Sequence, residues 1–216
     1  MKKPATTEAY SPKEELANAL SHGLGILAGI GGMIYLFTKH QEIDSSVFWS
    51  CLVFLLSVVT LYLASTLYHS VKSKKQKLLF KKLDHISIYL LIAGTFTPFC
   101  WGVLGHTALG KNLLWAIWLI ALAGIVFKAF YTGKLEKLSL ASYLGMGWLG
   151  FVMFDELATV LNAQVVNLML CGGLSYTTGV IFYVMKKLPF HHAIWHLFVL
   201  GGTGFHLYAI LTYVVG

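Results

Sequence analysis

Seven long stretches of apolar residues, separated by short polar segments, dominate the pattern of the chain. They lie at residues 19–38, 46–69, 85–104, 112–131, 138–158, 165–185 and 193–214. Each is long enough to cross about 30 Å of hydrocarbon as an α-helix that rises about 1.5 Å per residue. A membrane β-barrel would instead show alternating segments of about 10 residues. The pattern therefore predicts an all-α integral membrane bundle of seven transmembrane helices.

The composition agrees with a membrane location. Hydrophobic residues make up 57% of the chain and charged residues only 12%, whereas a soluble domain carries about 25% charged residues. The three cysteines lie in three different apolar stretches without a Cys-x-x-Cys pair, which is typical of packing residues. We expect residues 1–18 to form a cytoplasmic N-terminal tail and residues 19–216 to form the transmembrane domain.

The positions of the lysines predict the orientation. All basic residues are lysines and the net charge is +7. Seven spans put Lys39 and Lys111 on one side of the membrane. The opposite side receives the other lysines, namely Lys2, Lys3, Lys13, Lys72, Lys74, Lys75, Lys77, Lys81, Lys82, Lys128, Lys134, Lys137, Lys186 and Lys187. Because lysine-rich loops stay in the cytoplasm, we predict a cytoplasmic N-terminus and an external C-terminus in a bacterial inner membrane or plasma membrane. The membrane orientation therefore accounts for the net positive charge, and no nucleic-acid partner is expected.

Four ionisable residues lie near the predicted inner face. His69 ends the second apolar stretch, Asp84 precedes the third, and His192 and His196 stand at the start of the seventh. Successive spans run in opposite directions, so all four are expected within a turn or two of the same membrane surface. Ionisable side chains at membrane depth are costly and usually mark function.

The spacing of the histidines predicts metal chemistry. His192 and His196 are four residues apart, so they share one helix face. Catalytic zinc sites often use such a pair with a third ligand from elsewhere, for which His69 is the candidate, and leave one position for water. Asp84 could act as a general base on that water. Ser65, one turn deeper than His69, could hydrogen-bond to a ligand, the water or a substrate carbonyl. The alternative is that these histidines are interhelical hydrogen-bond partners.

Other polar residues receive weaker assignments. Glu15, Asn18 and His22 lie at the inner end of the first helix, where they either support the ligands or pack helices together. His206 follows His192 by 14 residues, which places it on nearly the same face but roughly 20 Å away. We therefore expect a packing or cavity role for it. The directions of His85 and His191 around their helices exclude both from the predicted ligand set.

Several motifs, in order along nearly the whole chain, resemble those of the hemolysin III family. They are Glu15-Leu-Ala-Asn-Ala-Leu-Ser-His-Gly23, Ser65-Thr-Leu-Tyr-His69, Lys82-Leu-Asp-His85 with Gly94-Thr-Phe-Thr-Pro98, and His192-Ala-Ile-Trp-His196 with His206 further on. This family belongs with the progestin and adipoQ receptors, which include the adiponectin receptors. The chain is therefore identified as a member on the basis of its motifs.

The resemblance implies a function and a set of ligands. The zinc ligands would be His69, His192 and His196, with Asp84 in the water-linked position and Ser65 nearby. Relatives in the wider superfamily include ceramidases, so the expected partners are membrane lipids. The expected activity is zinc-dependent hydrolysis of a lipid amide or ester, in membrane-lipid homeostasis.

Two alternatives to the hydrolase remain open at this stage. The family name suggests a pore-forming cytolysin, although a chain without a soluble form cannot easily lyse another cell. A receptor or regulator with a structural zinc is the other alternative. Structural zinc sites are closed and four-coordinate, whereas three histidines leave a position open, which favours chemistry.

Overall fold

The computed structural model describes residues 10–216, and its secondary structure is helical throughout. The described residues are 86% helical, and they include no strand. The helices are α1 (Pro12–Thr38), α2 (Ser45–Ser70), α3 (Lys74–Thr97), α4 (Ala108–Tyr131), α5 (Glu136–Trp148), α6 (Phe154–Val160), α7 (Ala163–Val184) and α8 (His191–Tyr213).

These helices form seven units that are long and apolar enough to cross a membrane. A π-helical turn at Pro98–Val103 extends α3 to the end of its span, and a 3₁₀ turn at Leu149–Met153 joins α5 to α6 in one span. The prediction of an all-α bundle of seven transmembrane helices is confirmed. The orientation of the termini stays a prediction.

Two helices begin well before their apolar stretches, by seven residues or more. Ser11 starts α1 with a capping box, in which its side chain accepts from the Glu14 N–H and the Glu14 side chain accepts from the Ser11 N–H. Likewise, α3 begins at Lys74, well before the apolar stretch of residues 85–104. Lysine, leucine and glutamine are good helix formers, so the helix continues beyond the apolar stretch. Residues 1–9 of the predicted tail lie outside the described residues.

The most buried spans are those built from α2 and α3, which pack against each other at the centre of the bundle. Helix α1 packs on both α2 and α8, and α7 packs on α8, so the first and last spans are neighbours. Helix α5 makes few contacts with α3 and α7. This loose packing leaves an internal cavity among α3, α5, α7 and α8.

The outer faces of the helices are apolar, as expected for surfaces in contact with lipid. Leu27, Trp115 and Phe130 are among the large exposed side chains. Inside the bundle, small residues allow close helix contact. A Cβ atom on Gly124 of α4, for example, would lie 2.2 Å from Cε1 of Tyr89 on α3. The tyrosine ring therefore rests directly on the backbone of α4.

Candidate metal centre

Three histidines from two distant parts of the chain meet at one end of the bundle. His69 lies in the last turn of α2, and His192 and His196 lie in the first two turns of α8. One potential ligand atom of each lies within 4.8 Å of those of the other two, and all three residues are buried. The ring centroids are 4.4 to 5.3 Å apart. The structure thus brings together the three residues that the spacing predicted as metal ligands.

The start of α8 is held in position by α1. Phe190, the residue before the helix, adopts a left-handed conformation with φ 56°, which is unusual for a bulky side chain. Its N–H donates to Oε1 of Glu14 at 3.1 Å. This bond ties the first turn of α8, which carries His192, to the first turn of α1.

A carboxylate of α1 orients His69. The Nδ1 atom of His69 lies 2.6 Å from Oε2 of Glu15, and the other carboxylate oxygen of Glu15 accepts from the Lys77 ammonium. A carboxylate accepts, so Nδ1 of His69 carries the proton and donates. Nε2 of His69 is buried and has no hydrogen-bond partner, which leaves its lone pair available for a metal. Carboxylate–histidine pairs of this kind orient and strengthen metal ligands.

A backbone carbonyl orients His196 in the same way. Its Nδ1 lies 3.1 Å from the carbonyl oxygen of Asn18 and 3.1 Å from Oγ of Ser21. A carbonyl can only accept, so Nδ1 of His196 carries the proton and Nε2 is the unprotonated nitrogen. The Ser21 hydroxyl also donates to the Asn18 carbonyl at 2.9 Å. One turn of α1 therefore fixes the tautomer of a second candidate ligand.

The third histidine is packed without polar contacts. Both ring nitrogens of His192 are buried and have no hydrogen-bond partner. The ring of Tyr10 stacks on it with centroids 5.1 Å apart and planes 22° apart. Buried polar atoms in proteins are normally paired. A neutral imidazole has a free lone pair on only one nitrogen. One nitrogen of His192, together with Nε2 of His69, therefore fits a metal ion that would accept these lone pairs.

Asp84 and Ser65 lie beside this cluster and are not part of it. Asp84 is buried and lines the same cavity as His192 and His196. Ser65 is fully buried next to Asp84, although its hydroxyl makes no well-formed hydrogen bond. The water-linked role of Asp84 and the supporting role of Ser65 stay predictions.

The structure also resolves residues whose roles the sequence left open. Glu15 and Asn18 contact candidate ligands, while His22 stacks on His196 with centroids 3.5 Å apart. Sequence reasoning missed Ser21 and Tyr10. Ser21 could have been found from its position one turn after Asn18 on α1, whereas Tyr10 carries no sequence signal because it precedes the helix.

An elongated cavity leads away from the histidines. Its walls come mainly from α3, α5, α7 and α8, and most of the side chains are apolar, including Leu91, Leu144 and Val180. The cavity reaches His206, whose Nε2 lies 3.3 Å from the carbonyl oxygen of Met169. Fourteen residues separate His192 from His206, so the cavity is roughly 20 Å long along α8.

Seven spans and a buried histidine cluster at one end define a multipass membrane protein with a candidate metal centre. The sequence profile described as Haemolysin-III related matches residues 10–207. The chain belongs to this family and is a multipass protein of the cell membrane. The family predicted from the sequence motifs is therefore confirmed.

Curated relatives cover almost the whole chain. It is 44% identical over 209 residues to the hemolysin-3 homolog of Bacillus subtilis (strain 168), covering 95% of this chain and 97% of the relative. It is also 44% identical over 206 residues to hemolysin-3 of Bacillus cereus, covering 94% and 93%. The human monocyte to macrophage differentiation factor is 30% identical over 214 residues, covering 95% and 87%.

Proposed function

We propose that this chain is a zinc-dependent hydrolase that cleaves an amide or ester bond of a membrane lipid. The observation that carries the proposal is the position of the histidine cluster. His69, His192 and His196 are buried at one end of a long apolar cavity, and the Asp84 carboxylate lines the same cavity. Apolar cavities with a few convergent polar groups are typical of small-molecule sites.

The donor set suits zinc. Neutral imidazoles bind Zn²⁺ readily, and three histidines leave a fourth position for water. When bound, zinc would act as a Lewis acid and make that water a nucleophile near neutral pH. The hydrogen bonds of His69 to Glu15 and of His196 to Asn18 support the proposal, because they leave one unprotonated nitrogen on each ring.

The other residues of the site have separate tasks in this proposal. The Asp84 carboxylate takes the proton of the attacking water and returns it to the leaving group. The Ser65 hydroxyl donates a hydrogen bond to the substrate carbonyl or to the water. The apolar walls formed by α3, α5, α7 and α8 hold an acyl chain and exclude bulk water.

Two observations support a lipid substrate, namely the shape of the cavity and the resemblance of the motifs to a superfamily. A cavity roughly 20 Å long that is walled by apolar side chains suits a hydrocarbon chain better than a soluble metabolite. The superfamily that the motifs resemble includes ceramidases. The proposed biological role is the maintenance of membrane-lipid composition.

The experiment compares variants of the purified chain in vesicles made from a lipid extract. Wild-type protein with zinc is expected to bind roughly one zinc ion and to convert at least one lipid, detected by mass spectrometry. Asp84→Asn should keep the zinc and lose at least about 100-fold in turnover, since positioned acid–base groups contribute about 10² to 10⁴. His192→Ala should lose both the metal and the turnover. Asp155→Asn, an exposed acid far along the chain, is the control and should change neither.

The outcomes also separate the alternatives. The curated relative from Bacillus cereus is named hemolysin-3, so a pore is the second candidate. Ion flux through vesicles that survives His192→Ala would favour the pore. Zinc that binds without any lipid conversion, and an Asp84→Asn variant without a defect in cells, would favour a receptor or regulator with a structural metal.

A further inference from the structure

A lysine lines the same cavity and is almost inaccessible to solvent. Lys128, in the last turn of α4, has only 1% of its surface exposed. A lysine at the end of a membrane helix usually extends toward the aqueous interface. Among the residues that the structure describes, no carboxylate forms an ion pair with Lys128. The side chain is therefore a buried cation without a direct counter-ion.

The packing of α3 against α4 puts a histidine beside this lysine. Tyr89 on α3 rests on Gly124 of α4. His85 lies one helical turn from Tyr89, and Lys128 lies one turn from Gly124, both toward the histidine cluster. His85 and Lys128 both line the cavity. The backbone carbonyl of His85 accepts from the Tyr143 hydroxyl at 3.0 Å, while Nδ1 of its ring is buried without a partner.

The acidic groups nearby do not neutralise the pair directly. Glu136 of α5 also lines the cavity, but its carboxylate lies 3.9 Å from the Lys186 ammonium. Asp84 lies on the wall next to Ser65, and Lys81 adds a second positive charge. A buried ammonium without a hydrogen-bonded partner is costly. An anion that enters the cavity would supply that partner.

We propose that Lys128 and His85 form a subsite for the anionic group, a phosphate or a carboxylate, of a lipid whose chain occupies the cavity. This deepens the proposed function by naming the substrate class as anionic lipids, and it rests on that function only for the cleavage step. Lysine binds phosphate as a point charge, and hydrogen bonds to charged groups are about twice as strong as neutral ones. The apolar wall that continues from this point favours a lipid over a free anion.

The test measures binding to the full chain after removal of metal with a chelator, in a neutral maltoside detergent. Isothermal titration compares dodecyl phosphate, dodecanol and inorganic phosphate. Wild-type protein should bind dodecyl phosphate at least about tenfold more tightly than dodecanol. Lys128→Gln should lose this preference while its affinity for dodecanol changes less than about twofold, which shows that the cavity is intact. Lys128→Arg, which keeps the charge, should retain the preference.

Lys137→Gln is the matched control, because Lys137 is exposed and lies in the first turn of α5, at the same end of the bundle. Its binding should equal that of wild type. Equal preference in Lys128→Gln and wild type would overturn the subsite. If inorganic phosphate displaced dodecyl phosphate at a similar concentration, the subsite would bind free phosphate, and the proposal that its anion belongs to a lipid would be wrong.

The metal-free design separates the two proposals. A preference for dodecyl phosphate that depends on Lys128, in a protein that hydrolyses no lipid, would support the subsite and contradict the proposed function. Turnover in a wild-type protein that shows no such preference would contradict the subsite alone.

Discussion

The contact between Glu15 and His69 permits a quantitative test of the candidate metal centre. The side chain of His69 is completely buried and that of Glu15 is 18% exposed, with 2.6 Å between Nδ1 and Oε2. A hydrogen bond to a charged group contributes about 1.5–3 kcal/mol. If the carboxylate orients His69 for zinc, its loss should weaken binding by roughly 10- to 100-fold, the range typical of such supporting partners.

Two substitutions divide this effect into parts. Glu15→Gln keeps an oxygen that can accept from Nδ1 of His69 but removes the charge, so we expect a loss in zinc affinity of about tenfold, or about 1.4 kcal/mol. Glu15→Ala removes the acceptor and should approach 100-fold. Lys77→Gln is the control, since it removes the other partner of Glu15 and leaves the contact with His69. Its effect should stay below about threefold, as for a partly exposed ion pair.

The assay is competition for zinc between the purified chain and a chelator of known affinity, at fixed pH and ionic strength. His192→Ala serves as the reference for complete loss of the site. The reasoning is refuted if Glu15→Ala binds zinc as tightly as wild type while His192→Ala does not bind it. Equal losses in Lys77→Gln and Glu15→Gln would show that the salt bridge, and not the orientation of the imidazole, controls affinity.

Three further results are expected. Gly124→Ala should cost about 1–3 kcal/mol of stability through overpacking, seen as a lower unfolding temperature in detergent, because its Cβ would clash with Tyr89; Gly31→Ala, with nothing within 4 Å, is the neutral control. Tyr10→Ala should speed zinc removal by a chelator several-fold, because the ring covers His192, whereas Tyr10→Phe should not. A reporter enzyme that is active only outside the cytoplasm should be active when it is fused to the C-terminus, because the lysines predict an external C-terminus.

Each of these expectations has a contrary outcome. Equal unfolding temperatures for the two glycine variants would contradict the close contact between α3 and α4. Chelation at the wild-type rate in Tyr10→Ala would mean that the aromatic ring does not limit access to the histidines. A C-terminal reporter active in the cytoplasm would reverse the orientation inferred from the lysines, and with it the assignment of the histidine cluster to the inner face.

Much of the fold could be predicted because lipid imposes simple rules. A helix that crosses hydrocarbon must be long, apolar and internally hydrogen-bonded, so seven apolar stretches predicted seven spans. The helix ends were less accurate. Hydropathy does not register that α1 starts at Pro12 or that α3 starts at Lys74, since polar helix formers extend these helices beyond the apolar stretches.

The residues of the candidate site also fall into those that the sequence predicted and those that it left open. His69, His192 and His196 could be chosen from the sequence because ionisable residues are rare at membrane depth and alternating spans assign each one to a face. Their partners Glu15 and Asn18 remained ambiguous. Those contacts join residues 54 and 178 positions apart in the chain, and they depend on how each helix is rotated about its own axis.

What the sequence determined by itself is the number of spans and the histidines able to meet at one end of the bundle. What only the tertiary structure decided is which neighbours orient those histidines, that Tyr10 covers them, and that Lys128 turns into the cavity. The physical reason is that a membrane helix is apolar toward lipid and toward the protein interior alike. Its sequence therefore carries little information on which side faces inward, and side-chain packing sets the rotation.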